Sequence, residues 1–165
     1  MKARHAPRAA RQRGFTLMEL VVTLALLGLM SMLAAPLAEL TVQRGREQQL
    51  REALREIRVA LDRYKAAADL GLIERKVGDS GYPPDLETLT SGARNQKSPG
   101  HEPMYFLRRL PRDPFAPEDQ QPASATWGLR SYSSGPQSPS AGADVFDVFS
   151  HAEGVGMNGQ PYREW

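Results

Sequence analysis

From Phe15 to Ala38 a single side chain, Glu19, carries a formal charge, in a run otherwise built largely of Leu, Val, Met, Ala and small residues. As a helix these 24 residues reach about 36 Å at 1.5 Å per residue, enough to cross a hydrocarbon core of about 30 Å. Eleven of them are Leu, Val or Phe. Together these favour insertion by on the order of 3 to 7 kcal/mol, against roughly 2.5 to 3.5 kcal/mol for an acid at the bilayer centre. Glu19 lies near one end, where the cost is smaller, so the segment is expected to insert despite it.

The charge around this run is unevenly placed. The segment MKARHAPRAARQRG holds Lys2, Arg4, Arg8, Arg11 and Arg13 and no acid, and the rest of the chain keeps 16 basic against 19 acidic residues. The sequence pI near 9.1 therefore belongs to a leader. A nucleic-acid partner is excluded, because such binding needs a basic patch on the folded domain. The same asymmetry places the N-terminus in the cytoplasm and everything after Leu40 across the membrane. The chain has no cysteine, which rules out a disulfide framework, a lipidated Cys, a Cys nucleophile and the common zinc-ribbon spacings.

Three readings of the apolar segment compete. A cleavable signal peptide has a shorter core and an A-x-A-like site, which MLAAPLAEL offers only imperfectly. A plain signal anchor accounts for the length, but not for the tight join of Gly14 to Phe15 with an acid just beyond. The third reading rests on a resemblance. RGFTLMELVVTLALLGLMSMLAAP, with Gly14, Phe15, Thr16, Leu17 and Glu19 ahead of a long apolar helix holding Pro36, resembles the class III signal of type IV pilins and pseudopilins. That resemblance implies cleavage between Gly14 and Phe15 by a prepilin peptidase and N-methylation of the Phe15 amine. The helix is retained as membrane anchor and filament core. A glycine before the scissile bond leaves it unhindered. The new amine then lies close to Glu19, and in apolar surroundings each charge lowers the cost of the other. The resemblance further implies that the pair forms between neighbouring subunits and sets axial register, with a Glu19 that snorkels to the headgroups as the competing role.

Beyond the anchor, Leu50, Leu54, Ile57, Leu61, Tyr64 and Ala68 recur at spacings of four and three, one apolar face of an amphipathic helix. The Arg and Glu residues around it, including Glu47 and Arg51, read as a solvated face with i,i+4 support. Phe15 to about Leu72 is expected as one long helix with a kink at Pro36. Eleven of the thirteen prolines follow Tyr82, which argues against further long helices. A short helix is expected at Asp85–Leu89, a loop over TSGARNQKSPGHEP, and strands in TWGLRSYS and DVFDVFS. The fold class is α+β: a long N-terminal helix packed on a small antiparallel sheet with long loops, pilin-like. The organisation is a leader over 1–14, an anchor and filament-core helix over 15–40, and a periplasmic domain over 41–165.

YPPDLETL, YFLRRLPRDPF, a Trp-containing strand and the tail ending NGQPYREW resemble the major, G-type pseudopilin of type II secretion systems. The partners this implies are copies of the chain in a filament, the peptidase, an inner-membrane assembly platform with its ATPase, and minor pseudopilins. The location implied is the inner membrane, single-pass. A type IV pilus subunit is the alternative. The G type also implies calcium, held between the last strands by acidic side chains and carbonyls. Here the sequence departs from the pattern, because no carboxylate lies between Ser133 and Ala143. Asp144 and Asp147 are the candidate ligands; the competing assignment has them ending turns or pairing with Arg130 or Arg163. No catalytic residue is assigned. His101 and His151 sit in no metal-binding frame, and a Ser134, His151, Asp147 triad lacks a nucleophile elbow.

Overall fold

The computed structural model describes residues 14–117 and 120–165, with the side chains of 33–37 excepted; the leader expected over 1–14 therefore lies, up to its last residue, outside the described residues. The first long element is α1, Leu17–Asp69. Its helical backbone continues through Pro36, whose side chain is among those not described. The chain divides into two units, Met1–Val42 and Gln43–Trp165.

In the second unit, the face formed by Leu50, Leu54, Ile57, Leu61, Tyr64 and Ala68 is buried along its whole length. It packs with Leu86, Leu89, Leu107, Trp127, Val145, Val148 and Tyr162 in one apolar cluster. A lone amphipathic helix cannot bury such a stripe, so the loops and strands fold over it. The helix ends three residues before the expected Leu72 for a local reason. Gly71 adopts φ 66°, and the N–H groups of Leu72 and Gly71 donate back to the carbonyls of Ala67 (2.9 Å) and Ala68 (3.0 Å). This is the Schellman ending, which needs a left-handed residue after the last turn.

The second helix, α2, is Thr88–Ser91, later than the expected Asp85–Leu89. The Asp85 carboxylate accepts from the Thr88 N–H (2.8 Å) and hydroxyl (2.7 Å), so Asp85 closes a turn ahead of the helix. Removing it in Asp85→Ala will lower stability by about 1 kcal/mol, as loss of a cap does. Urea unfolding of the full chain in detergent reads this as a lower midpoint with an unchanged slope.

The expected loop over residues 90–103 instead contains strand β1, Ala93–Arg94, paired antiparallel with β2, Pro103–Met104. The two Trp- and Phe-bearing stretches form β3, Trp127–Arg130, and β4, Asp147–Ser150, antiparallel with Trp127 opposite Ser150 and Arg130 opposite Asp147. The small sheet is thus two separate two-stranded ladders, within an α+β, pilin-like fold. Buried Asp113 ties the proline-rich loop to β4: its carboxylate accepts from the Phe115 N–H (2.8 Å) and the Ser150 hydroxyl (2.5 Å). Trp127 donates its indole N–H to the Pro111 carbonyl at 2.9 Å.

Candidate functional site

In the first unit, a Cβ built on Gly14 meets nothing within 4 Å among the described residues, so these make no steric demand for glycine there. Phe15 is 80% exposed. Thr16 stands immediately before α1, and its hydroxyl accepts from the Glu19 N–H at 3.2 Å. Thr16 and Glu19 thus have the T-x-x-E spacing of a capping box, and the acid falls in the first turn, where the helix dipole favours it. Glu19 itself is exposed. So are all the large apolar side chains described from Leu17 to Met32. A helix that is apolar all round requires lipid or other apolar helices about it. Among the described residues no helix is long and apolar enough to cross a membrane.

The second unit is organised by two polar anchors on α1. Glu47 is buried, with 3% of its surface exposed. Its Oε1 accepts from the Tyr162 hydroxyl (3.0 Å), the Met157 N–H (2.9 Å) and the Gln43 amide (3.1 Å), and Arg51 lies 3.5 Å from Oε2. Burial first, then the neighbouring carboxylate, pushes the Tyr162 phenol above its ordinary pKa, against opposing pulls from Gln43 and Arg51, so it stays a donor. The next anchor lies about three helical turns along α1: Arg58 donates to Asp147 (2.7 Å), the Val148 carbonyl (3.1 Å) and the Trp165 main-chain oxygen (2.6 Å). The Arg51 guanidinium lies over the Trp165 ring, 4.4 Å from its centre. These contacts fasten residues 155–165 and β4 to the helix.

Asp147 also pairs with Arg130 at 3.1 Å, as the competing assignment has it. Asp144 stands apart from it in function. Burial raises its carboxyl pKa, but hydrogen bonds from Ser131, Ser80 and the Tyr132 N–H outweigh that and hold it below the usual range. Among the described residues no three His, Asp or Glu side chains gather as a metal site. The drawn triad is not assembled either. Ser134 donates to the Ser131 carbonyl, Asp147 faces two guanidinium groups, and the His151 ring lies against Phe149, 5.6 Å between centres.

Residues 9–35 match the family model described as the prokaryotic N-terminal methylation motif. The chain is 28% identical to "Type II secretion system core protein G" of Dickeya chrysanthemi over 162 residues, 90% of this chain and 95% of that one. It is 29% identical to the proteins of that name from Klebsiella pneumoniae, over 67% of this chain and 74% of the relative, and Pectobacterium carotovorum subsp. carotovorum, over 67% and 66%. The chain thus carries an N-terminal methylation motif and, over most of its length, resembles type II secretion core protein G. No solved structure matches.

Two features were not assigned from the sequence: the capping role of Thr16, a residue already named in the motif, and the buried state of Glu47. The first was legible as T-x-x-E ahead of an apolar run. The second carried no local signal, because its partners Met157 and Tyr162 lie 110 and 115 residues away.

Proposed function

We propose that this chain is a structural subunit of a type II secretion pseudopilus, assembled from the inner membrane to drive protein export across the outer membrane. The observation that carries the reading is the N-terminal end: an unhindered Gly14, an exposed Phe15, a capped Glu19 and a helix exposed on every apolar face. A prepilin peptidase removes residues 1–14 and methylates Phe15. The N-terminus faces the cytoplasm and the domain faces the periplasm. Subunits leave the bilayer and stack through their apolar helices, with Pro36 as the point where the anchor bends, on a platform worked by a cytoplasmic ATPase and with minor pseudopilins. Its action is mechanical and uses no catalytic residue. Relatives named as secretion core proteins, one aligned over nearly the whole chain, support the secretion system over a pilus.

Co-expression with a prepilin peptidase, followed by intact mass and N-terminal sequencing, tests the reading. The expected product begins at N-methylated Phe15. Gly14→Val will leave the leader attached, although nothing among the described residues opposes the added side chain. A product starting near Ala35, or an uncut chain beside a processed control substrate, overturns the proposal.

A further inference from the structure

The G-type resemblance implies a calcium ion in the loop between the last two strands, and the residues of this loop do not fit one. Calcium takes six to eight hard oxygens, with carboxylates supplying the charge. Residues 131–146 join β3 to β4, and Asp144 is the one carboxylate in them. Its Oδ1 already accepts from the Ser131 hydroxyl (2.6 Å) and the Tyr132 N–H (2.9 Å), and the Ser80 hydroxyl binds the same carboxylate. Asp147 directs Oδ1 to Arg58 (2.7 Å) and to its own Val148 N–H (2.8 Å), and Oδ2 to Arg130 (3.1 Å). Two guanidinium groups at these distances repel a dication, and a metal would have to displace both from their ion pairs.

The loop is closed by its own bonds. The Ser131 N–H donates to the Ser140 carbonyl (2.9 Å), and turns form at Ser131–Ser134 (3.1 Å) and Gly135–Ser138 (3.2 Å). Gly142 comes so near Ser131 that a Cβ there would sit 2.7 Å from its hydroxyl oxygen. At the C-terminal end of the loop, the Val145 N–H donates to the Pro83 carbonyl and the Phe146 N–H to the Arg130 carbonyl, both at 2.8 Å.

We infer that this pseudopilin closes its β3–β4 loop without calcium, with Asp144 as the internal acceptor that gathers Ser131, Tyr132 and Ser80, and with Arg58 and Arg130 holding Asp147 in place of a metal. The inference takes from the G-type resemblance only the expectation it replaces, and it holds whichever filament the chain enters.

The test is thermal melting of the full chain in dodecyl maltoside, followed by the emission of its two tryptophans, of which Trp127 is buried, in millimolar calcium and in excess EGTA. The two wild-type curves will coincide. Asp144→Ala will melt lower in both buffers by the same amount. Asp144→Asn, which keeps an acceptor for Ser131 and Tyr132, will recover most of the loss, and this variant with Ser131→Ala carries the comparison if the alanine chain does not fold. A calcium ion bound to the native state alone, at a hundred times its Kd, would raise the Tm by on the order of 5–10 °C. Such a rise, abolished in Asp144→Asn, overturns the inference, and so does stoichiometric calcium binding by calorimetry. An Asp144→Ala chain that melts with the wild type removes Asp144 from its assigned role. None of these outcomes bears on cleavage at Phe15, so this inference and the pseudopilin reading fail separately.

Discussion

Glu47→Ala will destabilise the second unit by roughly 3 kcal/mol and release residues 155–165 from α1. The size follows from what remains after truncation. The Tyr162 hydroxyl and the Met157 N–H both lose their acceptor in a place that water does not reach, because Glu47 is 3% exposed and Tyr162 4%. Each orphaned donor costs about 1–3 kcal/mol, more than the net worth of the bond it made. Arg51, far more exposed at 55% of its side chain, loses a partner at 3.5 Å and contributes little, because water screens it. Glu47→Gln keeps an acceptor for Tyr162 and Met157 and will recover most of the loss. Urea unfolding of the full chain in detergent gives the midpoints. Amide exchange separates the two effects, since the alanine variant will lose protection first at Met157, whose N–H donates to Glu47 itself, and at Gly156, whose N–H donates to the Gln160 carbonyl within the released segment. Equal midpoints for wild type and Glu47→Ala would mean that the tail is held by Arg58, the Arg51–Trp165 stack and the buried Tyr162 ring without Glu47.

This residue also marks where sequence pattern stops being informative. Glu47 and Arg51 read as an ordinary i,i+4 pair on a solvated face, and the pair does form. What the periodicity could not reveal is that a segment more than a hundred residues later folds over that turn of the helix. The buried stripe from Leu50 to Ala68 was legible because its period is set by the helix itself. The strands β3 and β4 were legible from aromatic and β-branched runs between turn residues, and the Arg130–Asp147 pair follows once the two strands are opposed. The ladder of β1 and β2 was not, because two residues per strand give no alternation to read. The start of α2 shifted because Asp85 can close a turn as well as open a helix, and local propensity does not decide between them. At the N-terminal end the order of difficulty reverses. Gly14, Phe15 and Glu19 stand out in the sequence and are exposed, with few contacts among the described residues, as residues whose partners are other molecules would be.

That contrast makes Glu19 the position with the largest expected effect on assembly. Two roles for it make different predictions. As the acid of a capping box, it sits three residues after Thr16, whose hydroxyl accepts its N–H at 3.2 Å, and it favours the helix start by about 0.3–1 kcal/mol through the dipole. As the partner of the Phe15 amine of a neighbouring subunit, it supplies a charge whose loss leaves an ammonium unpaired in apolar surroundings, at a cost of about 3 kcal/mol or more. Such a loss weakens each subunit contact roughly 100-fold, and a filament multiplies that loss over every contact. Glu19→Gln separates the two, because glutamine serves a capping box nearly as well and carries no charge. Both Glu19→Gln and Glu19→Ala are expected to be cleaved at Phe15, since the scissile bond lies four residues away in an open stretch of chain. Both are expected to abolish filaments in a sheared-cell fraction examined by immunoblot and electron microscopy. Filaments restored by glutamine but not alanine would assign Glu19 to the helix start, and wild-type filaments from alanine would leave register to the apolar side chains between Leu20 and Met32.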